Sequence, residues 1–239
     1  MRTGLVLCAL LGLAACVDTP DSPFTDSGDN VSDDAGSGDG GFVPCTNLEV
    51  TVTVSGDDDD GAVYANMVYV PGMPGGTSSG PGIYIGNYSN ELSWGYFRFA
   101  LPIDFSPSYL NARIQLRLWG LDTLSWNDNG DALRVVLEDT ASAAPVTTSD
   151  RAPSDTTDAS LITRWPATGQ RLVWNTSGYN ESPDLAASFR QLEQTHGLEP
   201  GQSVQLWVGG FPDTGDSQVV AFDSSQANAN PAELRFECP

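Results

Sequence analysis

Ala112-Arg113-Ile114-Gln115-Leu116-Arg117-Leu118 alternates apolar and polar residues without interruption. A period of two puts Ala112, Ile114, Leu116 and Leu118 on one face of a β-strand and Arg113, Gln115 and Arg117 on the other. One face is therefore expected to be buried, and the basic face is placed to pair with acids on neighbouring strands. Upstream, Leu48, Val50, Val52 and Val54 alternate in the same way with Glu49, Thr51 and Thr53, until the run Asp57-Asp58-Asp59-Asp60-Gly61 breaks the strand. Residues 62–70 read as one extended segment ending at Pro71-Gly72, followed by a Gly/Pro/Ser loop. Further strands are expected at 83–88 and 94–101.

Downstream, Trp126-Asn127-Asp128-Asn129-Gly130-Asp131 forms a turn-rich loop before an apolar strand at 133–137. Short extended pieces follow at 162–165 and 171–174, and strands at 204–208, 219–222 and 232–236. One helix is expected late in the chain. Ser182 can cap it, Pro183 suits its first position, Asp184 complements its positive end and Gly197 stops it, with Leu185, Phe189, Leu192 and His196 on one stripe. About ten strands with one helix in a late connection predict an all-β, jelly-roll-like two-sheet β-sandwich.

The N-terminal region is of a different kind. Arg2 precedes a short apolar run that ends in small residues, the pattern of a secretory signal peptide. The run is too short to span a bilayer. Leu13-Ala14-Ala15-Cys16 resembles the lipobox of bacterial lipoproteins. That resemblance implies removal of residues 1–15 and acylation of Cys16, which anchors the protein to a membrane through lipid. Val17, in place of Asp, makes the outer membrane the preferred location over the inner. Residues 17–44 carry seven Asp and no basic group, with little to bury, and read as a disordered acidic Asp/Gly/Ser tether. The folded domain is then 45–239.

The formal charge is −21, and every basic residue is Arg. Such a chain repels phosphate backbones, which argues against nucleic acid as a partner. Neutral glycans, cations and basic proteins stay open. With Cys8 discarded and Cys16 acylated, Cys45 and Cys238 remain as a pair in an oxidising setting, and a disulfide joining the two ends of the domain is expected.

The order of the Asp-rich turn at Asp57 to Asp60, Tyr84-Ile85-Gly86, Gly95-Tyr96-Phe97-Arg98-Phe99-Ala100-Leu101-Pro102, the Ala112 strand, Val173-Trp174, Ser182-Pro183-Asp184-Leu185, Ala221-Phe222-Asp223-Ser224 and Pro231-Ala232-Glu233-Leu234 is similar to exported bacterial β-sandwich domains of the DNRLRE type. These are related to carbohydrate-binding-like jelly rolls. The resemblance implies cell-surface adhesion or glycan binding.

The sequence offers three kinds of candidate site. Asp57, Asp58, Asp59 and Asp60, and a second cluster at Asp128 and Asp131, offer the hard oxygens that calcium prefers, so a structural calcium is a candidate cofactor. Solvated turn acids are the plainer reading of both. Tyr88, Trp94 and Trp126 lie in or beside loops where a ring can stack on a sugar, whereas Trp119, Trp174 and Trp207 read as core. His196 is the single histidine, and its place on the apolar helix stripe reads as packing or capping. No Gly-x-Ser-x-Gly elbow or zinc motif accompanies it, so no catalytic residue is assigned. The expectation is a non-catalytic binding module for polysaccharide, with an envelope structural or protein-interaction role as the alternative.

Overall fold

The computed structural model describes residues 49–54, 56, 58–65, 67–70, 82–88, 91–103, 105, 111–118, 132–154, 157–170, 172–210, 218–225 and 230–238, without the side chains of 87, 88, 91 and 218–221. All belong to the unit Phe42–Pro239. Among them, strands in two sheets and a single α-helix make up the regular structure, an all-β sandwich.

The smaller sheet has four strands: β1 (Glu49–Thr53), β6 (Asn111–Arg117), β9 (Tyr179–Glu181) and β12 (Glu233–Glu237), in the order β1-β12-β6-β9 and antiparallel throughout. The larger contains β2 (Asp60–Tyr64), β3 (Met67–Tyr69), β4 (Gly82–Tyr88), β5 (Glu91–Ala100), β7 (Leu133–Leu137), β8 (Ile162–Trp165), β10 (Ser203–Gly210) and β11 (Gln218–Asp223). Its main path runs β11-β4-β5-β10-β7-β8. The ten-residue β5 shares one edge between β4, at Glu91 to Ser93, and β2, at Trp94 to Phe97. A lone bridge between Leu118 and Phe222 ties the end of β6 to β11, so the two sheets meet at one corner.

The alternation in 112–118 is realised as expected. Ala112, Ile114, Leu116 and Leu118 enter the inter-sheet core, one buried cluster that also holds Leu234 and Phe236 of the smaller sheet and Phe97, Val135 and Leu206 of the larger. Burying each large apolar side chain contributes about 1.5–3 kcal/mol, so this core dominates the stability. On the opposite face Arg113 donates to the Ser182 carbonyl oxygen (3.2 Å) and Arg117 to Asn230 Oδ1 (2.6 Å), both neutral acceptors. The acids gather instead on Arg235, which lies among Glu49, Glu237 and Glu181.

Four expectations need correcting. Residues 62–70 form a hairpin, because the chain turns after Tyr64 with Ala65 at φ 49°, the left-handed region that a non-glycine residue rarely adopts. Residues 172–174 are not a strand; Trp174 packs edge-on against Trp165 and Phe222 instead. The helix α1 (Ala186–His196) starts later than its sequence signals suggest. Ser182 Oγ accepts from the Ile114 amide (3.1 Å), which leaves Asp184 to bind the Ala186 amide (2.9 Å) while also accepting from Ala112 N (3.0 Å). Finally, β9 has no apolar alternation and was not anticipated. The stop at Gly197 (φ 68°) and the buried stripe Leu185, Phe189 and Leu192 follow the sequence.

Candidate functional site: the open face of the smaller sheet

The two outer faces of the sandwich differ. On the larger sheet, Trp94, Tyr96, Val136 and Trp207 form a second apolar cluster with Val63, covered by Val146 and Ala152 from the segment 139–154. That segment is strapped down. Arg151 donates to Glu138 Oε1 (2.6 Å) and to the carbonyl oxygens of Ala144 and Pro145 (2.7 Å each), while Trp207 Nε1 donates to Glu138 Oε2 (3.1 Å). Arg98, paired with Asp59, also reaches the Ala143 carbonyl oxygen (3.4 Å).

The outer face of the smaller sheet carries no such cover among the described residues. Register sets its side chains in rows: Glu49, Glu237 and Asn111; Thr51, Arg235 and Arg113; Thr53, Glu233, Gln115 and Glu181; then Arg117 and Tyr179. Alternation sends Val50, Val52, Leu234, Phe236, Ile114 and Leu116 inward, so everything left outside can hydrogen-bond. Four glutamates face three arginines there, a near-balanced surface on a chain of net charge −21. Gln115 Nε2 donates to Glu181 Oε1 (2.7 Å) and Asn111 Nδ2 to Glu237 Oε2 (3.3 Å), which fixes the rows.

At the corner joining the sheets, this face ends in a polar cluster. Arg117 donates to Asn230 Oδ1 (2.6 Å), and Asn230 Nδ2 donates to Asp223 Oδ2 (3.2 Å). The Tyr179 hydroxyl donates to the Pro231 carbonyl oxygen (3.1 Å). Burial pushes the Asp223 carboxyl above its ordinary range, against the pull of Asn230 and Arg117. Burial, and then the nearby Glu233 carboxylate, push the Tyr179 hydroxyl up to about 12. Asp223 is buried, while Tyr179, Arg117 and Asn230 are part-exposed. Shifted groups that influence one another are a recognised mark of functional sites.

The expected site residues fare unequally. Trp94 is not a platform: it lies in β5, 4% exposed, under the Arg134 guanidinium 4.5 Å from its ring centre. Period-two burial on a doubly covered sheet explains the misassignment. The Tyr88 side chain and all of Trp126 lie outside the described residues, as do Asp57, Asp128, Asp131, Cys16 and Cys45. Asp58, Asp59 and Asp60 do not converge as a calcium site. Asp58 is exposed, Asp59 is taken by Arg98, and the buried Asp60 accepts from the Ser225 amide (2.6 Å) and hydroxyl (2.9 Å). No group of three or more His, Cys, Asp or Glu able to hold a metal occurs among the described residues. Trp207 is core as expected. His196 Nε2 pairs with Asp139 Oδ1 at 2.7 Å, at the end of α1. Cys238 is disulfide-bonded.

Sequence reading missed Tyr179 and Asn230. Each stands in a polar stretch with no periodic signal, and the cluster exists only because four separate segments meet at the corner. Among the described residues no helix is long and apolar enough to cross a membrane. No protein-family model matches the chain, and no curated protein is significantly similar to it.

Proposed function

We propose that this chain is a bacterial, surface-anchored lipoprotein whose β-sandwich is a non-catalytic binding module for polysaccharide. The observation that carries the reading is the contrast between the faces. The aromatic face of the larger sheet is strapped shut, and the open face of the smaller sheet is rich in hydrogen-bonding groups and nearly charge-balanced. A neutral polymer of hydroxyl groups matches such a face. A nucleic acid or other polyanion is repelled by the charge of the whole chain. The Leu13-Ala14-Ala15-Cys16 lipobox pattern and the acidic tether support an anchored module held clear of the membrane.

The test is a binding screen of the full chain against neutral and acidic polysaccharides. Saturable binding to a neutral polymer supports the reading. Failure to bind any polysaccharide, with stable capture of an envelope protein instead, overturns it in favour of an assembly role.

A further inference from the structure

The corner of the open face has the parts of a subsite for one sugar residue. We propose that Tyr179, Arg117, Asn230 and Asp223 grip a single uncharged sugar unit of the bound polymer, an inference that rests on the polysaccharide-binding reading above. Each group in the relay from Arg117 through Asn230 to Asp223 is oriented by its neighbour, yet among the described residues both ends keep capacity to spare. Arg117 uses one amino nitrogen in the relay, leaving Nε and the other amino group as donors. Asp223 accepts through Oδ2 and keeps Oδ1 as an acceptor. A donor and an acceptor held on one rigid relay match two neighbouring hydroxyls of a sugar, each of which both gives and takes a hydrogen bond.

Tyr179 supplies the apolar part. Its hydroxyl is tied to Pro231, so the half-buried ring is fixed before any ligand arrives, and a fixed ring stacks on the C–H face of a pyranose at little entropic cost. The charges choose between sugars. Asp223 and Glu233 outnumber Arg117 at the corner, so a uronic acid or sulfated unit meets net repulsion, whereas a neutral unit does not. The raised Asp223 carboxyl agrees with a group placed to form strong, partly desolvated hydrogen bonds.

The experiment measures binding of the full chain to β-glucan, xylan, galactomannan and polygalacturonate. It compares wild type with Tyr179→Ala, Asn230→Ala and Ile103→Ala, the last an exposed side chain outside the rows of that face. Wild type is expected to bind a neutral polymer and to reject polygalacturonate. Tyr179→Ala and Asn230→Ala are expected to weaken binding by about tenfold or more, while Ile103→Ala stays within about threefold. If either alanine variant loses cooperative unfolding, Arg117→Gln on the same relay replaces it, with the same expected loss. Neutral binding that survives the corner variants overturns the subsite and leaves the function standing. Binding to polygalacturonate alone overturns the uncharged specificity, and wild type that binds no polysaccharide overturns both.

Discussion

Two buried polar groups respond to substitution in ways that apolar packing does not dictate. The Tyr96 hydroxyl is fully buried between β2 and β5 and has no hydrogen-bond partner among the described residues. Burial, together with Asp60, Asp58 and Asp59, holds it far above the ordinary tyrosine range, so it stays neutral. Because an unmet buried hydroxyl costs its desolvation, Tyr96→Phe should leave stability unchanged or raise it by up to about 2 kcal/mol in urea unfolding. A clear loss would show that the hydroxyl has a partner. Asp223 makes a pH-dependent case. An acid whose folded pKa lies above its unfolded one keeps its proton longer in the native state, so the native state gains at low pH. That gain disappears as pH rises from the ordinary carboxylate range through the raised value. Asp223→Asn keeps an acceptor for Asn230 and removes the ionisation. Its urea midpoint should exceed that of wild type at pH 7 and match it at pH 3, and equal midpoints at both pH values would argue against the shift.

Between elements, β5 and β10 meet in a close joint. Gly209 lies directly opposite Trp94, and a Cβ on Gly209 would come within 2.4 Å of the Trp94 ring. The indole lies over the glycine and fills the space a side chain would need. Gly209→Ala should therefore cost about 1–3 kcal/mol, read as a lower thermal midpoint. At the start of α1, Asp184 serves an amide of the helix and one of β6, so Asp184→Ala should cost about 1–2 kcal/mol by the same measure. The strand positions themselves were legible wherever one face is buried, as in 112–118 and 49–53, because period two survives in composition. Strands buried on both faces were also legible as apolar runs, as in 133–137, but which of their residues reach solvent was not. The β5 strand starts at Glu91, three residues earlier than expected, so Trp94 lies inside it rather than beside a loop, and short, polar β9 carries no alternation at all. The helix start was displaced because tertiary contact with Ile114 claimed the serine that local rules assigned to the cap.

For the whole molecule, the sandwich was legible and the site was not, since a corner assembled from 117, 179, 223 and 230 has no signature in any one segment. The two ends of the domain connect the fold to its location. Glu49 faces Glu237 across β1 and β12, so the chain before β1 and the chain after β12 leave from the same end of one ladder. Cys238 follows that ladder directly and is disulfide-bonded. Its partner bears on the proposed anchor, because a cysteine acylated on sulfur cannot form a disulfide. If residues 1–15 are removed and Cys16 carries lipid, Cys45 is the thiol that remains. Non-reducing peptide mapping should then recover Cys45 joined to Cys238, and the N-terminal peptide should begin at an acylated Cys16. Reduction, or Cys238→Ser, would release a loop spanning nearly the whole domain and lower stability by up to about 5 kcal/mol. A Cys16–Cys238 link would refute the lipid anchor and the predicted pairing together, because one sulfur cannot serve both bonds.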